Sequence, residues 1–214
     1  SLHLFEEYGE KFVEKLNGSF VIVIIDINNQ KLLITNDRYG LRPLYYAKLN
    51  NKLLFASEVK AILQDKTFKK EINDEAVAEF FTFGHLLGDK TFLKGITVLP
   101  QASVVTWERE RFSIEQYWEF RYDETDRIYP EEYYAEELVK LFKQATERRM
   151  SGSHKIGVSL SGGLDSRAVV AAIDKKHDPI TTITFTFPGI DKTPQIAKQV
   201  SNKRGTIHKH FEIM

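Results

Sequence analysis

The chain has 214 residues, of which 42% are hydrophobic, and its 30 basic side chains balance 30 acidic ones. This composition is ordinary for a folded protein of one or two domains, and the zero net charge argues against nucleic-acid binding as its main task. The absence of cysteine excludes disulfides and thiolate chemistry within the chain. The longest apolar run, residues 20–25, is far shorter than the about 18 residues that cross a bilayer, so a cytoplasmic location is expected.

The first 120 residues alternate short helices with pairs of strands. Apolar residues at helical spacing predict one helix within residues 4–16. Two strand–turn–strand units follow, with turns at residues 28–29 and 50–51, and the first strand is apolar on both faces, which predicts that it lies between two layers. Ser57 is expected to cap a short helix and Asn73 a longer one. Further short strands complete an antiparallel α+β pattern.

The pattern changes after residues 121–130, which are polar and without periodicity and are interpreted as a linker. Pro130 opens a long helix whose first turn is acidic and whose last turn is basic, as the helix dipole favours. The buried stripe of this helix is expected to contain Tyr134, Leu138, Leu141, Phe142 and Ala145. Strands near residues 155–159, 180–187 and 206–213 then alternate with helices, which is typical of a parallel, doubly wound sheet.

A glycine turn with two serines and an aspartate follows the first of these strands, within the stretch VSLSGGLDSRAVV. Ligands of open parallel sheets bind at the carboxyl ends of the strands, where a helix N-terminus offers N–H groups that suit phosphate. Gly162 and Gly163 leave room for a close oxygen, and Ser161 and Ser166 add hydroxyl groups. For a bare Ser-Gly-Gly, a plain structural turn is the better interpretation; the whole pattern favours a functional one.

Asp165 cannot bind phosphate directly, because like charges repel; it can hold a Mg²⁺ that bridges phosphate oxygens, or cap the helix. The turn lacks the Lys-Ser/Thr pair of a Walker loop and the spacing of the dinucleotide fingerprint. It resembles the pyrophosphate loop of the ATP pyrophosphatases. That resemblance implies that six residues hold the β,γ-pyrophosphate of ATP and its Mg²⁺: Ser161, Gly162, Gly163, Leu164, Asp165 and Ser166.

The residues before this loop resemble the later part of the glutaminase domain of glutamine-hydrolysing asparagine synthetases. Three motifs of that family correspond to residues 18–26, 36–46 and 55–63, and the sequence beyond the loop is similar to the family's next two strands. The resemblance implies an incomplete α+β, Ntn-hydrolase-type amidotransferase domain at residues 1–120. It implies an incomplete α/β, parallel-sheet ATP pyrophosphatase-like domain at residues 131–214.

The activity implied by the resemblance is ATP-dependent adenylation of a carboxylate, aspartate in the family, followed by amidation with ammonia from glutamine. ATP and Mg²⁺ are the implied cofactors. Ser159 and Phe185 are placed at the adenine through backbone and wall contacts. Partners are expected to be small molecules, with no nucleic acid and no membrane, and a homodimer is left open.

Departures from the family pattern restrict this expectation. The cysteine nucleophile is absent, and Ser1 corresponds to a position well inside the family's domain, so no catalytic residue is assigned. The sequence stops before the family's carboxylate-binding segments, which predicts an internal piece of a longer protein or a truncated paralogue that is inactive alone. Arg167 stands where the family usually has serine, and Asn36 where it usually has arginine, so the acceptor need not be aspartate.

Two alternatives to this activity stay open from the residues. An ATP pyrophosphatase that modifies tRNA requires a basic face, which the balanced charge does not favour. A non-catalytic module that keeps the fold for assembly requires no ATP binding. Measurements of ATP binding, and of pyrophosphate release with and without tRNA, would distinguish these alternatives from the amidotransferase.

Two further groups of polar residues are expected to be structural. His208 and His210 alternate on one face of the last strand, as two metal ligands can, but no third ligand is evident. Asp37, Arg38 and Arg42 surround a glycine turn, where an internal ion-pair network is the expected role.

Overall fold

A computed structural model describes residues 1–109, 111–122, 128–187, 189 and 192–213. The chain divides into two compact units, Ser1–Asp123 and Glu124–Met214. Of the predicted linker, residues 123–127 lie outside the described residues. No helix in the described ranges has the length and apolar character required to cross a membrane.

The first unit contains two antiparallel sheets and short helices. Its helices are α1 (Leu2–Tyr8), α2 (Val59–Ile62) and α3 (Asp74–Phe83), and a 3₁₀ helix covers Gly9–Lys15. Its strands are β1 (Val21–Asp26), β2 (Lys31–Asn36), β3 (Tyr45–Leu49), β4 (Lys52–Ala56), β5 (Thr97–Val98), β6 (Ser103–Glu108) and β7 (Arg111–Gln116). One sheet has the strand order β1-β2-β6-β7 and the other the order β4-β3-β5.

Three apolar clusters arrange this unit as helix, sheet, sheet and helix layers. Phe12 of the 3₁₀ helix packs against Leu33 of β2, so a helical layer covers one face of the larger sheet. Ile34, the next residue of β2, clusters instead with Tyr46 of β3, so the other face meets the smaller sheet. The outer face of the smaller sheet packs against Ile62 of α2. Because successive side chains of a strand point to opposite faces of the sheet, the two sheets of this unit contribute residues to three separate apolar cores.

Three details of the first unit differ from the sequence predictions. The helix within residues 4–16 is interrupted at Gly9, whose φ of 57° ends α1 and starts the 3₁₀ helix. Glu58, rather than Ser57, occupies the N-cap of α2, and no side chain caps that helix. Val23 and Ile25 of β1, an edge strand of its sheet, are 40% and 69% exposed, so the face of β1 that carries them is only partly covered. The Asn73 cap of α3 is confirmed by a 3.3 Å bond from the Ala76 N–H.

The second unit contains a parallel sheet with intervening helices. Its elements are α4 (Glu131–Met150), β8 (Gly157–Ser159), α5 (Leu164–Ala172), β9 (Thr181–Thr186), α6 (Thr193–Arg204) and β10 (Ile207–Glu212), with a 3₁₀ helix at Lys175–His177. The strand order is β10-β9-β8, and both pairings are parallel.

Helices α5 and α6 pack on one face of this sheet, where Leu160 lies against Val170 of α5 and Ala197 of α6. The opposite face carries Phe185 and Phe211, which are 57% and 48% exposed. Among the described residues, the sheet is therefore covered by these two helices on a single face, whereas a doubly wound sheet has helices on both.

The predicted buried stripe of α4 is largely exposed. Tyr134, Leu138 and Leu141 are 50%, 66% and 57% exposed. Only Thr146 of this helix is buried, and Met150 at its last turn borders the core of the unit. The periodicity correctly predicted a helix, but it did not indicate which part of the apolar face another element would cover.

Candidate functional site: the loop between β8 and α5

The candidate site is the loop at residues 161–166, which we call the SGGLDS loop. Leu160 alone separates the loop from the end of β8, and the last three residues of the loop form the first turn of α5. Leu160 continues the ladder for one more bond, because its N–H donates to the carbonyl of Ile183 at 2.8 Å. The loop therefore lies at the carboxyl end of a parallel strand, where open sheets place their ligands.

The two serine hydroxyls hold the loop closed on itself. The Oγ atoms of Ser161 and Ser166 lie 2.9 Å apart, and the Ser161 N–H donates to Ser166 Oγ at 2.9 Å. The N–H of Gly163 donates to Ser161 Oγ at 3.2 Å. The hydroxyls that the sequence suggested as phosphate donors thus stabilise the loop conformation in the structure.

Backbone N–H groups provide the better anion donors. Helix α5 has no side-chain cap at its N-terminus, so within the described part of the chain its first-turn N–H groups remain open to a ligand. The positive end of the helix dipole adds to their attraction for an anion. Leu164 of this turn is 75% exposed, and the turn is thus accessible from solvent.

Gly162 is needed where the loop meets α6. A Cβ added at Gly162 would lie 3.3 Å from the Cα of Thr193, the first residue of α6. At Gly163 the nearest atom to an added Cβ is the movable Ser161 Oγ, also at 3.3 Å. A side chain at position 162 would therefore push against backbone. The close approach brings a second helix N-terminus beside the loop.

The acidic and basic side chains of the loop have different surroundings. Asp165 is exposed, and no described residue forms an ion pair with it within 4.0 Å. Arg167 is half-buried, and its Nε donates to the carbonyl of Gly163 at 3.2 Å. Arg167, which stands where the family usually has serine, is thus hydrogen-bonded to the carbonyl immediately before α5.

Ser159 and Phe185, predicted at the adenine, lie on the sheet face opposite α5 and α6. Ser159 pairs in register with Ile183, two residues before Phe185. The ring of Phe185 stacks on Phe211 with a centroid distance of 5.7 Å and an interplanar angle of 23°. Phe211 was not predicted from the sequence, because it lies beside Phe185 only through the parallel register of β9 and β10.

The two histidines of β10 bind threonines of β9. His208 Nδ1 lies 3.0 Å from Thr182 Oγ1, and His210 Nε2 lies 2.6 Å from Thr186 Oγ1. Burial, followed by the charges of Lys198 and His210, lowers the pKa of His208. Among the described residues, His, Asp and Glu side chains form no group of three able to hold a metal ion.

The glycine turn of the first unit is held differently from the expected ion-pair network. The carboxylate of Asp37, 1% exposed, accepts bonds from the N–H groups of Phe20, Tyr39 and Leu41 at 3.0 to 3.2 Å. Arg38 donates to the carbonyl of Glu14 at 3.0 Å instead. Backbone N–H groups therefore replace the arginines as the partners of Asp37.

Asn36 has a structural role in the same unit. Its amide donates to the carbonyl of Pro100 at 2.8 Å and accepts from the N–H of Ser103 at 2.9 Å. Its own carbonyl accepts a 2.8 Å bond from the hydroxyl of Tyr117. Asn36, which stands where the family usually has arginine, thus holds neighbouring segments of the first unit together.

Comparison with known proteins gives a consistent assignment for both units. Residues 1–118 match the model of the glutamine amidotransferase domain family, and residues 137–214 match that of asparagine synthase. A Methanocaldococcus jannaschii protein assigned as glutamine-hydrolysing asparagine synthetase 2 is 30% identical over 98% of this chain and 42% of its own length.

Two further relatives show the range of the matches. The glutamine-hydrolysing asparagine synthetase of Zea mays is 30% identical over 98% of this chain and 32% of that protein. A Penicillium rubens protein named amidase chyE is 30% identical over 79% of this chain and 25% of that protein. The chain thus spans less than half the length of these relatives.

Proposed function

The chain belongs to the glutamine-hydrolysing asparagine synthetase family, and on that premise we propose that its SGGLDS loop binds the pyrophosphate of ATP for the adenylation of a carboxylate. The observation that carries this proposal is the uncapped first turn of α5 beside the N-terminus of α6, with Gly162 at their closest approach. The uncapped N-terminus of α5 and the side-chain-free backbone of Gly162 favour a phosphate oxygen at this position.

The backbone and side-chain groups of the loop would have different roles in binding ATP. The N–H groups of Leu164, Asp165 and Ser166 would donate to the β- and γ-phosphate oxygens, while the hydroxyls of Ser161 and Ser166 maintain the loop shape. The departing pyrophosphate carries more charge in the transition state than in ATP, so fixed N–H donors at this position would lower the barrier.

Asp165 fits a role as a magnesium ligand. Its carboxylate is exposed and free of described ion pairs, and Mg²⁺ is commonly held by one or two carboxylates together with substrate phosphates and water. A single carboxylate is therefore sufficient, although no group of three acidic or histidine residues occurs among the described residues. The bound ion would supply neutralisation of the phosphate charge.

The exposed face of the parallel sheet supports an adenine site. Phe185 and Phe211 present a stacked aromatic pair, and a flat apolar base can lie against such a surface. Ser159, on the same face, would contribute its backbone. We thus propose Ser159 and Phe185 at the adenine, with Phe211 extending the wall.

The two units correspond to two steps of an amidotransferase. We propose that residues 1–120 are part of an Ntn-type glutaminase domain, residues 121–130 the linker, and residues 131–214 part of an ATP pyrophosphatase domain. The helix–sheet–sheet–helix layers of the first unit and its family match support the first assignment. Glutamine would supply ammonia, and aspartate or another carboxylate would accept it; the relative named an amidase keeps the acceptor open.

Titration calorimetry with ATP and AMP in the presence of Mg²⁺ tests this function. Because the loop would contact the β- and γ-phosphates, ATP should bind at least about tenfold more tightly than AMP, a difference of about 1.4 kcal/mol. Equal affinities would contradict a pyrophosphate site, and absence of binding to either nucleotide would favour a non-catalytic module. Pyrophosphate release stimulated by tRNA would favour the RNA-modifying alternative.

A further inference from the structure

The buried face of β9 contains three threonines in alternation. Thr182, Thr184 and Thr186 are 0%, 2% and 6% exposed, although β9 is the central strand of its sheet. Central parallel strands are normally rich in valine, isoleucine and leucine, because both faces are buried. Three buried hydroxyls at these positions require partners, and each of them has one.

Two of the three hydroxyls connect β9 to the strand and turn that follow α6. Thr182 bonds to Thr206 Oγ1 at 2.8 Å and to His208 Nδ1 at 3.0 Å. Thr186 bonds to His210 Nε2 at 2.6 Å. These bonds fix β10 against β9 and do not involve the SGGLDS loop.

The third hydroxyl has a different partner. Thr184 Oγ1 donates to the carbonyl of Leu160, the residue immediately before Ser161. The in-register pairing of β8 with β9 ends at Ser159 and Ile183. The Thr184 hydroxyl therefore makes one more hydrogen bond from β9 to the residue that follows β8, at the point where the chain leaves the sheet to form the loop.

We propose that Thr184 is a positioning residue for the nucleotide loop. The serine bonds close the loop on itself, and Gly162 sets its distance from α6, but the Thr184 hydroxyl fixes the orientation of the peptide group from which the loop begins. Valine in its place would keep the volume and the strand preference while leaving the Leu160 carbonyl, on a residue that is 1% exposed, without its donor. The consequence for ATP rests on the proposed function; the consequence for the loop does not.

Hydrogen–deuterium exchange of the unliganded chain tests the effect on the loop. Thr184→Val should speed exchange of the amides at residues 161–166 by about three- to tenfold, as expected for one lost neutral hydrogen bond. Thr182→Val is the matched control, with the same substitution, strand and burial, and should leave these amides unchanged. Thr184→Ser keeps the hydroxyl and should restore parental exchange.

Calorimetry on the same variants tests the effect on ATP. ATP–Mg²⁺ affinity should fall about three- to tenfold in Thr184→Val and stay parental in Thr182→Val and Thr184→Ser. Parental loop exchange in Thr184→Val, or an equal increase in Thr182→Val, would overturn the proposal. If the parent chain binds no ATP while Thr184→Val alone loosens the loop, the proposed function fails and the positioning role stands.

Discussion

Two aspartates in glycine turns have opposite surroundings in this chain. Asp37, in the first unit, is buried and accepts three backbone N–H bonds. Asp165, in the second unit, is exposed and has no ion-pair partner among the described residues. The difference separates a carboxylate that stabilises a turn from one that is available to a ligand, although the sequence presents both as an aspartate close to glycine.

Replacement of Asp37 should have the largest effect on stability. Asp37→Ala removes the acceptor of three N–H groups in the interior, and the first unit should lose about 3 kcal/mol or more of unfolding free energy. Urea denaturation followed by tryptophan fluorescence reports on this unit, because both tryptophans of the chain, Trp107 and Trp118, lie within it. Asp165→Ala, in the second unit, is the control, and its urea denaturation is followed by far-UV circular dichroism, which also reports on that unit. A loss of about 3 kcal/mol in Asp165→Ala would show that the exposed carboxylate also stabilises its turn.

Two neighbouring glycines of the SGGLDS loop should respond unequally to alanine. Gly162→Ala brings a methyl group against the backbone of Thr193, and the strain should cost the second unit about 1–3 kcal/mol. Gly163→Ala meets only the Ser161 hydroxyl, which can move, so its effect should be smaller. Thermal denaturation followed by circular dichroism checks the order, and a larger loss in Gly163→Ala would show that the contact with α6 is not the reason for Gly162.

Tyr117 should make the stability of the first unit sensitive to alkaline pH. Burial, partly offset by Arg38, raises the pKa of Tyr117 from 10.0 to about 12. Because the raised pKa favours the neutral phenol in the folded state, its contribution is complete below pH 10.0 and declines as the pH rises toward about 12. Tyr117→Phe should remove this decline and, by deleting the bond to Asn36, cost about 1 kcal/mol at neutral pH.

Urea denaturation at several pH values measures the Tyr117 effect. The exposed Tyr39 provides the control substitution, since Tyr39→Phe removes an exposed phenol from the same unit and leaves the half-buried Tyr117 in place. A parental pH dependence in Tyr117→Phe would contradict the assignment.

Local patterns in the sequence predicted elements but not the surfaces that cover them. Asn73 was identified as a cap because its interaction with the Ala76 N–H lies within four consecutive residues. The exposure of Leu138 on α4 and of Ile25 on β1 depends on which elements pack nearby, and periodicity carries no such information. Ser57 was predicted as a cap from its residue type alone, but the N-cap position of α2 is occupied by Glu58.

The SGGLDS loop itself was located from the sequence, because its residues are contiguous. The residues proposed to support it were not located, because they come from other elements: Thr184 from β9 and Thr193 from α6. Phe211 of β10, which belongs to the proposed adenine wall, was missed for the same reason. Their involvement follows from the parallel register and from the approach of α6 to Gly162. A short motif therefore indicates a candidate ligand site, whereas the residues that position the motif can be identified only from the fold.

Calorimetric titration of ATP into the parent chain and the Asp165→Asn variant, with Mg²⁺ and then with EDTA, tests whether the SGGLDS loop binds ATP through Mg²⁺ and Asp165. Binding by the parent should be saturable and should weaken about tenfold or more when Mg²⁺ is removed, since the ion would join phosphate to Asp165. Asp165→Asn should bind ATP weakly, with no improvement from Mg²⁺ and with unchanged thermal stability. Parental affinity and an undiminished response to Mg²⁺ in Asp165→Asn would show that Asp165 does not hold the metal ion.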